Sequence, residues 1–162
     1  MTTKIKIRRT KNADSRTADE NLGYEALLED TQEHLRDVQS GMILLSDMVK
    51  QAGYDHDYTK MAYFDEFAEN VLSEHTNEEF ISADWYQKHI FEERHHLNAN
   101  CPLDVNLIDV MEMIVDCVMA GKGRSGHVTP SYLILKDPSI LERAYWNTVK
   151  LVDEHVILEE DE

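Results

Sequence analysis

The chain has 162 residues, 42% of them apolar and 30% charged, with 32 acids against 16 bases and a net charge of -16. That length can bury a core without help. Three prolines and six glycines are too few for a low-complexity chain. No uncharged apolar run approaches the ~20 residues of a membrane helix. The N-terminus has no apolar signal-peptide core. Cys101 and Cys117 form neither a CxxC pair nor a disulfide framework. A soluble protein of a reducing cytoplasm is expected.

Residues 1–16 hold six bases (Lys4, Lys6, Arg8, Arg9, Lys11, Arg16) and one acid, Asp14. The acidic remainder repels duplex nucleic acid. Residues 1–18 read as a basic, flexible arm, although Lys4-Ile5-Lys6-Ile7 alternates like a short strand. Residues 19–157 read as one helical domain and 158–162 as an acidic tail.

From Asp19 on, Leu27, Leu28, Leu35, Val38, Met42, Leu45 and Val49 recur at helical steps, and Gly53 reads as the stop. A loop leads through His56-Asp57 to a second helix from about Thr59 to Ser73. His75 to Ile81 reads as loop. Ser82 is a candidate cap for a third helix, Ala83 to Leu97, broken by Asn98-Ala99-Asn100-Cys101-Pro102. Asp104 is a candidate cap for a fourth helix to Ala120, apolar on most sides and so expected to be central. Gly121 to Gly126 reads as a glycine-rich loop. Thr129-Pro130 starts a short helix. Asp137-Pro138 opens a last helix to about Val156. With almost no β signal, the expected fold is all-α, a single-domain helical bundle.

Eight histidines make a moderate excess, and their placement carries more than their number. His34 lies beside the apolar stripe of the first helix, where a lone histidine is more often a boundary residue than a ligand. His56-Asp57 opens the second helix, with Lys60 three residues on. His89 and His96, seven apart, share a face of the expected third helix, while His95 points about 100° away. Imidazoles held this way can grip one ion or two neighbouring ions, or simply decorate an exposed helix. Asp109, Glu112 and Asp116 fall on one side of the fourth helix. A carboxylate amid Leu107, Val110, Met113 and Val115 is costly to bury alone and calls for a metal, histidine or lysine partner.

Taken in order, His34, His56-Asp57, His89, His95-His96 and Asp116 resemble the signature of the HD-domain superfamily of metal-dependent phosphohydrolases. His56-Asp57-Tyr58-Thr59-Lys60 looks like that family's histidine-aspartate-x-x-lysine variant. The extra histidines resemble its two-metal subgroup. The set also looks like small, poorly described HD-like proteins of bacteriophages and bacteria. The resemblance covers roughly residues 27–120. His95-His96 is followed by Leu97-Asn98-Ala99 rather than the glycine-tyrosine-proline of cyclic-dinucleotide phosphodiesterases, which weakens that substrate assignment.

The resemblance implies a divalent cofactor, one or two ions of Mn²⁺, Fe²⁺, Mg²⁺ or Zn²⁺, held by His34, His56, Asp57, His89, His95, His96 and Asp116. It implies hydrolysis of a nucleotide or other small phosphate ester by metal-activated water. Asp57 and Lys60 would be the catalytic pair. Lys60, Glu112, Lys122 and Arg124 would face the substrate. A phage-encoded copy would work in the host cytoplasm. Two other readings stay open: a catalytically inactive HD-like protein that binds a nucleotide or host protein, and an HD-type iron oxygenase. Helical faces this apolar often pair, so a homodimer is open too.

Overall fold

The computed structural model describes residues 4–8, 10, 12 and 17–159. Among them are seven α-helices: α1 (Tyr24–Asp55), α2 (Tyr58–Ala62), α3 (Phe64–Leu72), α4 (Asn77–Ser82), α5 (Asp84–Glu92), α6 (Leu107–Ser125) and α7 (Ser139–His155). A 3₁₀ turn spans Pro130–Leu133. Two short strands, β1 (Ile5–Ile7) and β2 (Val156–Leu158), pair in parallel with Ile5 opposite Val156. The all-α expectation therefore holds. No helix of the described residues is long and apolar enough to cross a membrane.

The chain divides into two compact units, Met1–Met48 with Val149–Glu162, and Val49–Thr148. In the first, β1 docks on β2, and the Glu159 amide donates to the Ile7 carbonyl at 2.9 Å. Arg8 pairs with both Asp30 and Glu33 at 2.5 Å. The stretch expected to be a flexible arm thus contributes a strand and an ion pair at residues 5–8. The rest of that expectation, at residues 1–3, 9, 11 and 13–16, lies outside the described residues, as do tail residues 160–162. The strand at 156–158 was missed because three apolar residues after a helix carry no period.

The second unit packs around Leu97, Val105, Val110, Met113, Ile140 and Ala144. Its helix boundaries correct the sequence reading in six places. Gly53 lies inside α1, which runs on to Asp55. The expected helix Thr59–Ser73 breaks at Tyr63 into α2 and α3. The expected loop at 75–81 holds α4, started by a capping box in which Thr76 and Glu79 exchange hydrogen bonds. α6 is capped by Asn106 rather than Asp104, its side chain accepting from the Ile108 and Asp109 amides. Finally, α6 continues through the expected glycine loop to Ser125. Gly121 is buried there, where a Cβ would stand 3.2 Å from the His127 carbonyl oxygen. Gly126 then ends the helix with φ 75°, a left-handed cap that glycine adopts without steric cost.

The correction that matters most for the site concerns α5. It ends at Glu92 rather than near Leu97. Glu93 takes extended backbone angles, φ -80° and ψ 116°, and His95 and His96 sit in the turns that follow.

Candidate metal centre

The centre lies wholly within the second unit. The α1–α2 junction supplies His56 and Asp57, α5 supplies His89, the turn after it supplies Glu93, His95 and His96, and α6 supplies Glu112 and Asp116. Asp57 is the one described non-glycine residue with positive φ, at 57°. Aspartate tolerates this left-handed conformation better than most residues, yet it still costs of order 1 kcal/mol. The turn sends the chain from α1 into α2 within two residues and places the His56 and Asp57 side chains together, 3.4 Å from His56 Nε2 to Asp57 Oδ2.

The two oxygens of Asp57 have different fates. Oδ2 accepts a short hydrogen bond from Lys60 Nζ. Oδ1 is buried with no hydrogen-bond donor, 3.5 Å from His89 Nε2 and 3.7 Å from His95 Nε2. Burial works to raise the Asp57 carboxyl, but Lys60 outweighs it, with help from His56 and His89, and the pKa falls below the usual aspartate value.

His89 is 3% exposed, and its tautomer follows from its partners. Its Nδ1 lies 2.7 Å from Thr59 Oγ1, and that hydroxyl is 2.5 Å from Glu93 Oε1. A carboxylate can only accept, so the Thr59 hydroxyl donates to Glu93 and accepts from His89 Nδ1–H. The His89 Nε2 lone pair then faces Asp57 Oδ1, with His96 Nε2 2.8 Å away. Burial and the neighbouring imidazoles push both His89 and His96 down to about 4, so both rings are neutral at pH 7.

His95 is 2% exposed, and neither ring nitrogen makes an aligned hydrogen bond. Its Nδ1 is nevertheless 3.0 Å from Glu112 Oε1, which also accepts from His56 Nδ1 at 2.9 Å. Burial alone would lower His95, but Glu112 prevails and the net shift is upward. Glu112 moves down in turn: burial opposes this, and the His95 and His56 rings override it.

Donor atoms thus gather in three overlapping triads within 4.8 Å: His56, His95 and Glu112; Asp57, His95 and His96; Asp57, His89 and Glu93. Lone pairs face one another with too few protons between them. Buried acceptors arranged this way fit a cation, and the mixed imidazole and carboxylate set suits first-row divalent metals.

Of the residues singled out in the sequence, His56, Asp57, His89, His95 and His96 come together here. Asp116 stands at the edge, 3.7 Å from His56 Nε2. Glu112, expected to face substrate, sits among the donors instead. Lys60 is bound to Asp57. His34 is exposed on the first unit's part of α1, six turns before the helix ends, and belongs to none of the triads. Lys122 and Arg124 are exposed on the last turns of α6. Arg124 stands 5.8 Å over the Tyr132 ring, and neither has a described contact to the cluster.

Sequence reasoning missed Glu93 and Thr59, which are 4% and 0% exposed. The threonine backbone N–H also donates to Glu93 at 2.9 Å. A charged residue in a charged run carries no sign that it is buried. Arg94 was missed too. Its guanidinium grips Asp109 through two bonds of 2.8 and 2.9 Å and reaches Asp104 at 3.1 Å. This clamp ties the turn carrying His95 and His96 to the start of α6. Beside the cluster runs a cleft of about 330 Å³ whose apolar walls include Val49, Ile108, Met111 and Val115. Its polar lining is His56, Glu112 and Asp116.

Comparison of the chain with protein-family models, curated proteins and solved structures finds no match.

Proposed function

We propose that the protein is a metal-dependent phosphohydrolase acting on a nucleotide or other small phosphate ester. One observation carries the reading: the buried, undonated Asp57 Oδ1 faces His89 Nε2 at 3.5 Å and the unpaired His95 Nε2 at 3.7 Å. Three overlapping triads give room for one divalent ion or two. The residues that would hold them are His56, Asp57, His89, Glu93, His95, His96 and Glu112, with Asp116 at the margin. When bound at such donors, divalent ions supply Lewis-acid polarisation of phosphoryl oxygens and acidify water near neutral pH.

The chain's own groups do the rest. Thr59 and Glu93 lock His89 with its Nε2 lone pair outward, as outer partners of metal-binding histidines do. Arg94 holds the His95–His96 turn in place. Lys60 Nζ, beside Asp57 and partly exposed, stands where it can bind a phosphate oxygen or donate a proton to the leaving group. In a chain of net charge -16, that ammonium is the local attraction for an anionic substrate. The apolar cleft takes the body of the ester, with the phosphate at its polar end.

The test is elemental analysis of protein purified without chelator, followed by phosphate release from a panel of nucleotides and simple phosphate esters with Mn²⁺, Mg²⁺ or Fe²⁺. A bound divalent metal and metal-dependent phosphate release are expected. Protein that is metal-free and cannot be reloaded would remove the metal centre. Loaded protein that releases no phosphate from any ester would remove the hydrolase.

A further inference from the structure

α1 is 32 residues long, about 48 Å at 1.5 Å per residue. Within the first unit, Leu28, Thr31, Leu35, Val38, Met42 and Leu45 follow one another at alternating steps of three and four. This is the 3.5-residue repeat of a two-stranded coiled coil, not merely the broader stripe of a core-facing helix. The one polar member, Thr31, spends its hydroxyl on the Leu27 carbonyl at 2.7 Å. Yet most of the seam is bare: Leu28 is 44% exposed, Leu35 55%, Val38 50% and Met42 63%, with Leu45 half-buried.

The charges select the partner. In this acidic chain the positions flanking the seam are Gln32, His34, Gln39, Gly41, Ser46 and Met48. None carries a carboxylate, so a second copy can approach without like-charge contact there. No residue from Val38 to Ser46 is charged, whereas the start of the helix holds Glu25, Glu29, Asp30 and Glu33. A parallel pair would set those acidic starts side by side. An antiparallel pair, crossing in the uncharged middle, sets them at opposite ends and opposes the helix dipoles favourably. With the two-fold axis beside Ser40, Leu35 meets the partner's Leu45 and Val38 meets the partner's Met42, the a-to-d matching that antiparallel coils need. Of the flanking positions, Leu27 is also apolar and 41% exposed, which widens the strip that a second copy would cover.

We infer that α1 pairs with α1 of a second copy of this chain as an antiparallel coiled coil centred near Ser40. Sedimentation equilibrium of the full chain at micromolar concentration is expected to give twice the 18.8 kDa chain mass. The double variant Leu35→Glu/Met42→Glu is expected to halve it. A wild-type mass of one chain, or one that includes a different protein, overturns the inference. Cysteine trapping fixes the direction and does not depend on the glutamate variant folding. In a Cys101→Ser/Cys117→Ser background, Leu35→Cys mixed with Leu45→Cys should form a disulfide-linked pair. Leu35→Cys alone should not, and its self-linkage would mean a parallel pair and overturn the proposal.

Discussion

Replacing Thr59 by valine keeps the side chain's shape and removes one hydroxyl. That hydroxyl is fully buried and joins His89 Nδ1 at 2.7 Å to Glu93 Oε1 at 2.5 Å. Hydrogen bonds to a charged group contribute about 1.5–3 kcal/mol, and a buried donor left unpaired costs about 1–3 kcal/mol. Glu93 keeps the Thr59 backbone N–H at 2.9 Å, which offsets part of the loss. The expected destabilisation is therefore about 3 kcal/mol, measured by urea unfolding in the presence of chelator so that no metal contributes. The second effect is on metal. Without its Nδ1 anchor His89 can turn, and loss of such an outer partner lowers affinity about 10–100-fold. Competition against a chromogenic chelator reads this directly. Thr59→Ser restores the hydroxyl and should recover most of both. If Thr59→Val matches the wild type in stability and in metal affinity, the tautomer assigned to His89 is wrong, and with it the outward lone pair.

Asp57→Ala should abolish metal binding, with only modest loss of stability because alanine tolerates the left-handed turn less well; full metal occupancy in elemental analysis would contradict the site. Lys60→Ala should keep its metal and lose turnover in the phosphate-release screen, and unchanged activity would take Lys60 out of the mechanism. Arg94→Gln should cost about 1–2 kcal/mol in urea unfolding, less than a fully buried pair because the guanidinium is 41% exposed and partly screened by solvent. It should also weaken metal binding by loosening the His95–His96 turn, and an unaltered affinity would show that the clamp does not position those rings.

The sequence carried the helices better than their ends. Periodicity located α1, an apolar run on most sides located α6, and the Asp137-Pro138 start signal located α7. The break at Tyr63 and the persistence of α6 past Gly121 depend on tertiary contacts that no local signal encodes. Gly121 illustrates this. In the sequence it opens a glycine-rich loop, but in the fold it is a helical residue whose missing side chain lets the His127–Val128 backbone pass at close range.

The histidines teach a different lesson, since the rings that the structure brings together were grouped in the sequence on partly wrong geometry. A continuous third helix would put His95 about 100° around the axis from His96, so the two could not both face His89. They converge because the helix stops. The extended backbone at Glu93 changes the side-chain period, turning Glu93 inward to Thr59 and Arg94 outward to Asp109, and the turns that follow bring both rings back over Asp57. The ring centroids of His95 and His96 are then 4.3 Å apart, and those of His89 and His96 4.6 Å. Five charged or titratable residues in a row, Glu92 to His96, look in sequence like a solvated helix face. Their partners decide otherwise: Tyr58 and Tyr63 take Glu92, Thr59 takes Glu93, Asp109 takes Arg94, His89 takes His96, and His95 is left with Glu112 and an unpaired aspartate oxygen. In this segment the buried ring of His95, with neither nitrogen in an aligned hydrogen bond, is left facing the undonated Asp57 oxygen, and the turn is organised around what that pair still lacks.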